Sequence, residues 1–300
     1  MTTTVFVHGN PMTAAVWEGL LVELGRDDVR LLSPPGFGAP LPGGFDVSPD
    51  GYRDWLVGEL ECLDGPVDLV GHDWGGAHVV RVAMDRPDLL RSWVSDAVGV
   101  FHPDYAWHEL AVTWQTPGAG ERQLAGLADR DAWAARLAGR GMPLAVAERV
   151  IDGYDPSMAH AILALYRAAA QPAMARAGRR LERAAARPGL AVLATGDPVV
   201  GTLAQRREAA ARAGAQVAVL EGVGHWWPAR YPVRTAQVLR RFWASLDTVT
   251  TTVGAPAVRS RSVRAVPGGS STARWRSPVR SGRTPWPARV PGSTRTPVAP

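Results

Sequence analysis

One aspartate in this chain stands where its neighbours favour nucleophilic chemistry. Asp73 lies in the sequence VGHDWGG at residues 70–76, between a strand-like apolar run at 66–70 and a helix-like run at 77–85. Glycines let the chain turn sharply between a strand and a helix, and such a turn presents its central side chain above the carboxyl end of a sheet. The N-terminus of the following helix stabilises negative charge there. Asp73 is therefore a candidate nucleophile that attacks an electrophilic carbon and leaves an ester.

Two further polar side chains follow late strand-like runs. Asp197 comes after the run 190–194, and His225 lies in a glycine-containing loop after the run 216–220. A histidine held by a carboxylate is the arrangement that activates water as a general base. We predict that His225 is the base and that Asp197 orients it. Asp96, which ends an earlier strand-like run, is the alternative orienting acid.

The first strand-like run also ends in a polar turn. Residues 3–7 lead into the sequence HGNP at 8–11. Backbone N–H groups in a turn at this place face the turn that holds Asp73. We predict that the N–H groups of Asn10 and Trp74 form an oxyanion hole for the charge that develops when an ester is hydrolysed.

Four motifs together resemble the α/β-hydrolase superfamily. They are HGNP, GHDWGG, a Gly-Asp-Pro after a late strand, and GVGHWW, and they cover residues 3 to about 246. The order nucleophile, acid, histidine is the one used by that fold. The resemblance is strongest to the branch with an aspartate nucleophile, which contains haloalkane dehalogenases and epoxide hydrolases. It implies a mostly parallel sheet flanked by helices, and hydrolysis of a small apolar substrate through an alkyl-enzyme ester on Asp73.

The same resemblance implies which groups stabilise the leaving group. Dehalogenases of this branch hold halide with the tryptophan after the nucleophile and with an asparagine in the HGNP turn, and Trp74 and Asn10 match both positions. Epoxide hydrolases instead protonate the alkoxide with tyrosines of a helical insertion. Tyr166 matches one of these, whereas Thr113 stands where the second would align. The choice between a halide and an epoxide stays open.

The remaining elements must position these residues. Strand-like runs alternate with helix-like runs, which is typical of an α/β fold with a mainly parallel sheet. The candidate strands are residues 3–7, 29–33, 67–70, 92–95, 190–194 and 216–220. Residues 98–186 contain no strand candidate, and we predict that they form a helical lid, inserted after the sixth strand of the α/β-hydrolase fold. Lid side chains that face the sheet would line an apolar chamber, and others would form the core of the lid; the candidates for both roles are Trp107, Trp114, Trp133, Met142 and Met158.

Charge is distributed unevenly along the 300 residues. Residues 247–300 contain nine arginines and one acidic residue, which gives this segment a net charge of +8. Because the whole chain has a net charge of +5, residues 1–246 have a net charge of −3. We predict an α/β-hydrolase domain over 1–246 and a disordered, basic tail rich in Pro and Arg over 247–300. Arginines scattered among prolines favour a solvated extension over a nucleic-acid or membrane contact. No signal-peptide pattern and no membrane span is apparent, which predicts a cytoplasmic protein.

The sequence indicates neither a metal nor a cofactor. Its histidines lack the paired spacing of metal ligands, and no glycine-rich nucleotide motif follows a strand. The expected partners are a small-molecule substrate and water, and the expected state is a monomer or homodimer. Two alternative functions remain. One is a carboxylic ester hydrolase, which Asp73 disfavours because no serine or cysteine stands at the turn. The other is a non-catalytic protein of the same fold that binds a small ligand.

Overall fold

The structure is a computed structural model that describes residues 2–253. Its strands are β1 (Thr4–Val7), β2 (Val29–Leu32), β3 (Val67–Gly71), β4 (Leu90–Ser95), β5 (Gly189–Ala194) and β6 (Gln216–Leu220). They form one sheet in the order β2-β1-β3-β4-β5-β6, and every neighbouring pair is parallel. All the strands that the sequence predicts are confirmed, and so is the α/β-hydrolase fold class.

Burial along the sheet follows from helices on both faces. The inner strands β1, β3 and β5 are buried along their whole length, whereas the edge strands β2 and β6 are partly exposed. Such inner strands are continuous apolar runs because neither face meets water. Val7 pairs with Gly71, and Gly71 pairs with Ser95. The loops after β1, β3 and β4 therefore begin side by side at the carboxyl edge of the sheet.

Helices connect the strands. They are α1 (Glu18–Leu24), α2 (Pro49–Glu61), α3 (Trp74–Asp85), α4 (Glu109–Gln115), α5 (Ala119–Ala125), α6 (Arg130–Gly139), α7 (Leu144–Asp152), α8 (Pro156–Ala168), α9 (Ala173–Ala177), α10 (Leu203–Arg212), α11 (Trp227–Arg230) and α12 (Pro232–Val253). One group of flanking helices contains α1, α11 and α12, and another contains α2, α3 and the 3₁₀ segment Gly178–Ala186. These packed groups hold the sheet and the start of α3 in place.

Residues 98–186, the stretch that the sequence analysis interprets as a lid, are helical in the structure. The structure describes this whole stretch, and it contains helices and no strand. Helices α4, α5 and α8 pack together, and α6 packs against α7. The 3₁₀ segment Gly178–Ala186 packs beside α3, and α9 packs against this segment and against the 3₁₀ segment Val98–Phe101 that follows β4. The part that covers this edge is therefore formed by α4 to α8 and the loop before them.

The final helix, α12, overlaps the start of the predicted tail. Helix α12 runs to Val253, so the boundary predicted after Leu246 falls inside it. Asp247 also forms an ion pair with Arg91 at 2.9 Å, which ties this part of α12 to the sheet. The rest of the predicted tail, 254–300, lies outside the described residues. None of the helices within residues 2–253 has the length and hydrophobicity that a membrane crossing requires.

Candidate active site

Asp73 occupies a sharp turn between β3 and α3. Its φ of 54° and ψ of −127° make it the one non-glycine residue with a positive φ in the described part of the chain. Such a backbone conformation is strained and is maintained by its surroundings. A Cβ on Gly75 would lie 2.1 Å from the carbonyl oxygen of Val7, so only glycine permits this close approach to β1. The turn directs the Asp73 carboxylate into a cavity beneath the lid.

The Asp73 side chain is 13% exposed, and its carboxylate receives hydrogen bonds from the backbone. The backbone N–H of Asn10 donates to its Oδ2 atom at 3.0 Å. Burial raises the pKa of Asp73, while the charges of His225 and His72 and the backbone N–H groups of Trp74 and Asn10 act in the opposite direction. The two N–H groups that the sequence analysis assigns to an oxyanion hole therefore both act on this carboxylate.

His225 lies between two carboxylates. Its Nδ1 atom donates to Oδ2 of Asp197 at 2.8 Å, and its Nε2 atom lies 3.8 Å from Oδ1 of Asp73. Burial by itself lowers the pKa of His225, but the charge and hydrogen bond of Asp197, with the charges of Asp73 and Asp96, outweigh it and raise the pKa to about 9. Of the two acids that the sequence leaves open, Asp197 is the one that contacts the imidazole.

Asp96 has a different position, below the turn that holds Asp73. It is 1% exposed, and its Oδ1 atom accepts the backbone N–H of Asp73 at 2.9 Å. Its Oδ2 atom accepts from Nδ1 of His72 at 2.5 Å and from the indole N–H of Trp227 at 2.7 Å. The ring centroids of His72 and His225 are 4.8 Å apart. Asp96 thus joins the Asp73 turn to the loop that holds His225.

His8 supports the turn after β1. Its Nδ1 atom donates to the carbonyl oxygen of Gly9 at 2.8 Å, so Nε2 is the acceptor for the Ser33 hydroxyl at 3.1 Å. Burial lowers the pKa of His8 to about 4, and the charge of His72 adds to this effect. The neutral ring fixes the turn from which Asn10 donates to Asp73. The peptide bond between Asn10 and Pro11 is cis.

The cavity in front of Asp73 has a volume of about 140 Å³. This is close to the ~150 Å³ of apolar cavities that accept benzene. Lid residues Trp114 and Trp133 line it, as predicted, together with Asn10. The Asn10 side chain is 4% exposed, and neither its Oδ1 nor its Nδ2 atom has a hydrogen-bond partner among the described residues. A buried amide without partners is costly, so a ligand in the cavity would satisfy it.

A smaller cavity of about 20 Å³ lies on the other side of Asp73, and its walls include Trp74 and Trp107. The two indole rings are stacked with centroids 5.8 Å apart. Of the lid side chains that could line the chamber, Met142 and Met158 line neither of these two cavities, and both are buried.

The tyrosines of the lid differ in whether they line a cavity and in what their hydroxyl groups contact. Tyr166 lines both, and burial raises its pKa well above the usual value, with the charge of Asp73 adding to the increase. The Tyr105 hydroxyl donates to the carbonyl oxygen of Val199 at 2.8 Å, and Tyr154 packs against Trp133 away from Asp73. Among the tyrosines of the described lid, Tyr166 is thus the one that faces Asp73 with a hydroxyl able to donate.

Several cavity residues were not predicted from the sequence. His108 accepts the backbone N–H of Ala111 at 3.2 Å through Nδ1, which places its proton on Nε2. Arg136 and Arg140, one turn apart at the end of α6, also line the larger cavity. Their spacing matches that of Trp133 and Leu137 and was visible in the sequence, but the side of α6 that faces Asp73 was not.

The described residues contain no group of three His, Cys, Asp or Glu side chains arranged to hold a metal ion. The polar groups around Asp73 are instead engaged with one another, since Asp197 holds His225 and Asp96 holds His72. This arrangement suits proton transfer between a carboxylate, an imidazole and water.

Comparison with known proteins adds family-level information. A sequence model described as the alpha/beta hydrolase family matches residues 4–238. An (E)-2-((N-methylformamido)methylene)succinate hydrolase from Acinetobacter baylyi is 28% identical over 110 residues, which are 36% of this chain and 41% of that protein. An epoxide hydrolase from Caballeronia sordidicola is 31% identical over 94 residues, 29% of this chain and 28% of that protein. The chain therefore matches less than half the length of either relative.

Solved structures extend the likeness over most of the chain. A loop variant of a haloalkane dehalogenase from Bradyrhizobium elkanii has a TM-score of 0.62 and 19% identity, and the match covers 83% of this chain and 91% of that one. An E-2-(acetamidomethylene)succinate hydrolase has a TM-score of 0.61 and 21% identity, with 81% and 91% covered. Because the sequence identities are about 20%, these matches show a similar fold only.

Proposed function

Because this chain belongs to the alpha/beta hydrolase family, we propose that it hydrolyses a small alkyl halide or epoxide through an alkyl ester on Asp73. The observation that carries this proposal is the arrangement of that carboxylate. It faces a cavity from a strained turn, Oδ2 receives the Asn10 N–H at 3.0 Å, and Oδ1 lies 3.8 Å from Nε2 of His225. A carboxylate is a poor catalyst of acyl transfer but forms esters by displacement at carbon.

The first step uses Oδ1, the oxygen of Asp73 that lies 3.8 Å from Nε2 of His225 and does not accept the Asn10 N–H. Oδ1 of Asp73 attacks the electrophilic carbon, a new C–O bond forms, and the carbon–halogen or epoxide C–O bond breaks. Oδ2 becomes the carbonyl oxygen of the ester and stays near the N–H of Asn10. A buried site strengthens these interactions, because water does not compete for the donors.

The second step uses His225 as base. It accepts a proton from water through Nε2, and the resulting hydroxide attacks the ester carbonyl of Asp73. The N–H groups of Asn10 and Trp74 stabilise the oxyanion, an effect that is worth about 3 kcal/mol for one donor in comparable sites. When this intermediate collapses, the bond between the carbonyl carbon and the alkyl oxygen breaks, and the imidazolium of His225 protonates the departing oxygen so that the alcohol leaves. The carboxylic acid that remains on Asp73 loses its proton to water, which restores the carboxylate. Asp197 stabilises the imidazolium through its hydrogen bond to Nδ1.

Two observations bear on the leaving group. The buried Asn10 amide has no partner, and Nδ2 is a suitable donor to a departing halide beside the Trp74 indole. This favours a halide. Tyr166 remains protonated because burial raises its pKa, which suits donation to the alkoxide of an opened epoxide. The epoxide is therefore the second candidate substrate.

The names of the similar proteins agree on hydrolysis but not on the bond that is cleaved. They include a haloalkane dehalogenase, an epoxide hydrolase and hydrolases of succinate derivatives. We base the choice on this chain's own residues. Ester hydrolysis is disfavoured because an aspartate occupies position 73.

A trapping experiment tests the proposal. The variant His225→Gln should accept the alkyl group but not hydrolyse the ester, so intact mass should increase after incubation with alkyl bromides or epoxides, and the added mass should map to Asp73. The double variant His225→Gln with Asp73→Asn is the control and should gain no mass. Wild-type protein that turns over in H₂¹⁸O should incorporate ¹⁸O into Asp73. Ligand binding without an adduct, and with an inactive wild-type protein, would support the non-catalytic alternative.

A further inference from the structure

One face of lid helix α6 combines apolar and cationic groups at the larger cavity. Trp133, Arg136, Leu137 and Arg140 all line it, at the spacing that places residues on one side of a helix. Trp133 and Leu137 are buried, whereas both arginines are exposed. The apolar pair therefore forms the inner wall of the cavity, and the guanidinium groups lie towards solvent.

The charges of this arginine pair are not neutralised by neighbouring acids. Neither Arg136 nor Arg140 forms an ion pair within the described residues, and the polar contact of Arg136 is with the Gly126 carbonyl oxygen at 3.4 Å. Like charges one turn apart on a helix repel each other. Among the described residues that line this cavity, Asp73 is the one acidic residue. An anion placed between the guanidinium groups would relieve the repulsion.

The positive charge of this pair acts inside the cavity as well. Burial lowers the pKa of His108 to about 4, and the charge of Arg140 contributes to the lowering. His108 lines the same cavity and lies within reach of Asp73 and Tyr166, which also line it. Arg140 is thus electrostatically coupled to the place where a substrate would bind.

We infer that Arg136 and Arg140 bind a carboxylate of the substrate, so that the substrate class is a short-chain halocarboxylic or epoxycarboxylic acid. This inference rests on the proposed function. Guanidinium groups are suited to this role because their paired N–H donors match the two oxygens of a carboxylate. Two exposed cations at the entrance also attract anions from solution. They offset the repulsion that the substrate anion would meet from Asp73.

The size of the cavity limits the chain length. A volume of about 140 Å³ holds a molecule with roughly six non-hydrogen atoms, the size of benzene. With 3-bromopropanoate, Oδ1 of Asp73 forms a bond to the carbon that carries the bromine. The C–Br bond breaks, and bromide leaves with the electron pair of that bond. Water then adds to the ester carbonyl, and the products are 3-hydroxypropanoate, the free carboxylate of Asp73 and one proton.

Binding of an unreactive anion tests the inference without any turnover. Calorimetric titration should detect butanoate binding to the wild-type protein, and the neutral isostere butanamide should bind at least tenfold more weakly. The variants Arg136→Gln and Arg140→Gln should each raise the Kd for butanoate about tenfold, the usual value of a charge-assisted hydrogen bond. Arg122→Gln is the matched control, since Arg122 is an exposed lid arginine outside the cavity lining. Equal binding of butanoate and butanamide would overturn the inference.

A second measurement separates this inference from the proposed function. In the His225→Gln background, the rate of adduct formation is compared for 3-bromopropanoate and 3-bromopropanamide, with and without Arg136→Gln and Arg140→Gln. Loss of the preference for the anion in the arginine variants alone supports the inference. If adducts form equally fast with both reagents in all variants, the inference of an arginine site for the carboxylate is overturned, while the proposed ester on Asp73 is still supported. Arginine-dependent butanoate binding without any adduct supports the anion site and counts against the ester mechanism.

Discussion

The buried carboxylate of Asp96 accepts the backbone N–H of Asp73 at 2.9 Å, so one acid fixes the strained turn that presents another. The other oxygen of Asp96 accepts from His72 and from Trp227, the second residue after His225. A single buried charge therefore connects the two loops whose side chains face the cavity. Asp96 itself lines neither cavity and acts through Asp73, His72 and Trp227, so it is a positioning residue.

We expect Asp96→Asn to reduce both stability and activity. The amide has one oxygen, so its NH₂ group would face either the Asp73 N–H or the two donors from His72 and Trp227. Hydrogen-bond donors that are left unpaired in the interior should lower the free energy of unfolding by about 3 kcal/mol. Urea unfolding of the variant and the wild type measures this difference. The charge of Asp96 also raises the pKa of His225, so the rising limb of the pH–rate profile for ester hydrolysis should move to lower pH in the variant.

Asp197→Asn is the matched comparison for that prediction. Asp197 contacts His225 but not the backbone of Asp73, so this variant should impair orientation of the imidazole and leave the turn intact. If Asp96→Asn alters stability alone, with an unchanged pH profile, the coupling between Asp96 and His225 is absent.

The sequence was sufficient for the parts of the site that depend on local pattern. Asp73 is flanked by glycines, and Asp197 and His225 follow apolar runs, so each could be assigned to the carboxyl end of a strand. A parallel sheet gathers such ends at one edge, which is why three residues far apart in the chain could be predicted to meet. The choice between Asp96 and Asp197 could not be made, because it depends on side-chain directions.

The parts that were missed depend on register and on packing between elements. His72 lies beside Asp96 because Gly71 pairs with Ser95, and no local pattern encodes that pairing. Trp227 reaches Asp96 only because the loop after β6 folds back over β4. In the lid, α6 packs against α7, and Arg136 lies on the side of α6 that lines the larger cavity, which the sequence of α6 alone does not indicate.

Gly9→Ala should abolish adduct formation while preserving the fold. A Cβ at this position would lie 2.2 Å from Oδ2 of Asp73, so the carboxylate must move away from the Asn10 N–H. A displacement of this size at a reacting group lowers the rate about 100-fold or more. Rates of mass increase in the His225→Gln background provide the measurement. Gly43→Ala is the control, since its Cβ would meet no atom within 4 Å.

Acid should destabilise the fold through His8. Its pKa is lowered from 6.5 to about 4 in the folded protein. A histidine with a lowered folded pKa contributes stability above its unfolded pKa, and that contribution is lost as pH falls through the folded pKa. The free energy of unfolding should therefore decrease by about 3 kcal/mol between about pH 6.5 and pH 4 on account of this group.

Urea unfolding at a series of pH values measures this effect. His8→Gln should show a shallower decrease in stability over the same pH range, although it is less stable at neutral pH. The exposed His160 provides the control, and His160→Gln should follow the wild-type curve. Parallel curves for wild type and His8→Gln would show that His8 is not buried as a neutral group.

Asn10 and Tyr166 distinguish the two candidate substrates. Asn10→Ala keeps the backbone N–H that contacts Asp73 but removes the unpartnered amide, so it should slow reaction with alkyl bromides about tenfold or more. Tyr166→Phe removes the hydroxyl alone and should slow epoxide opening about 100-fold. Single-turnover rates with one bromide and one epoxide measure both. Equal effects of each variant on both substrates would mean that neither side chain stabilises a specific leaving group.

The two chemical steps should differ in their dependence on pH. In the free protein the pKa of His225 is raised to about 9, and the charge of Asp73 contributes to this increase. Alkylation removes that charge, so the pKa of His225 must be lower in the ester than in the free protein. Since the base acts when deprotonated, ester hydrolysis should accelerate with pH and level off below pH 9. Rapid-quench mass spectrometry of the wild-type ester between about pH 6 and pH 10 measures its decay. A plateau that is reached only above pH 9 would mean that Asp73 does not influence His225.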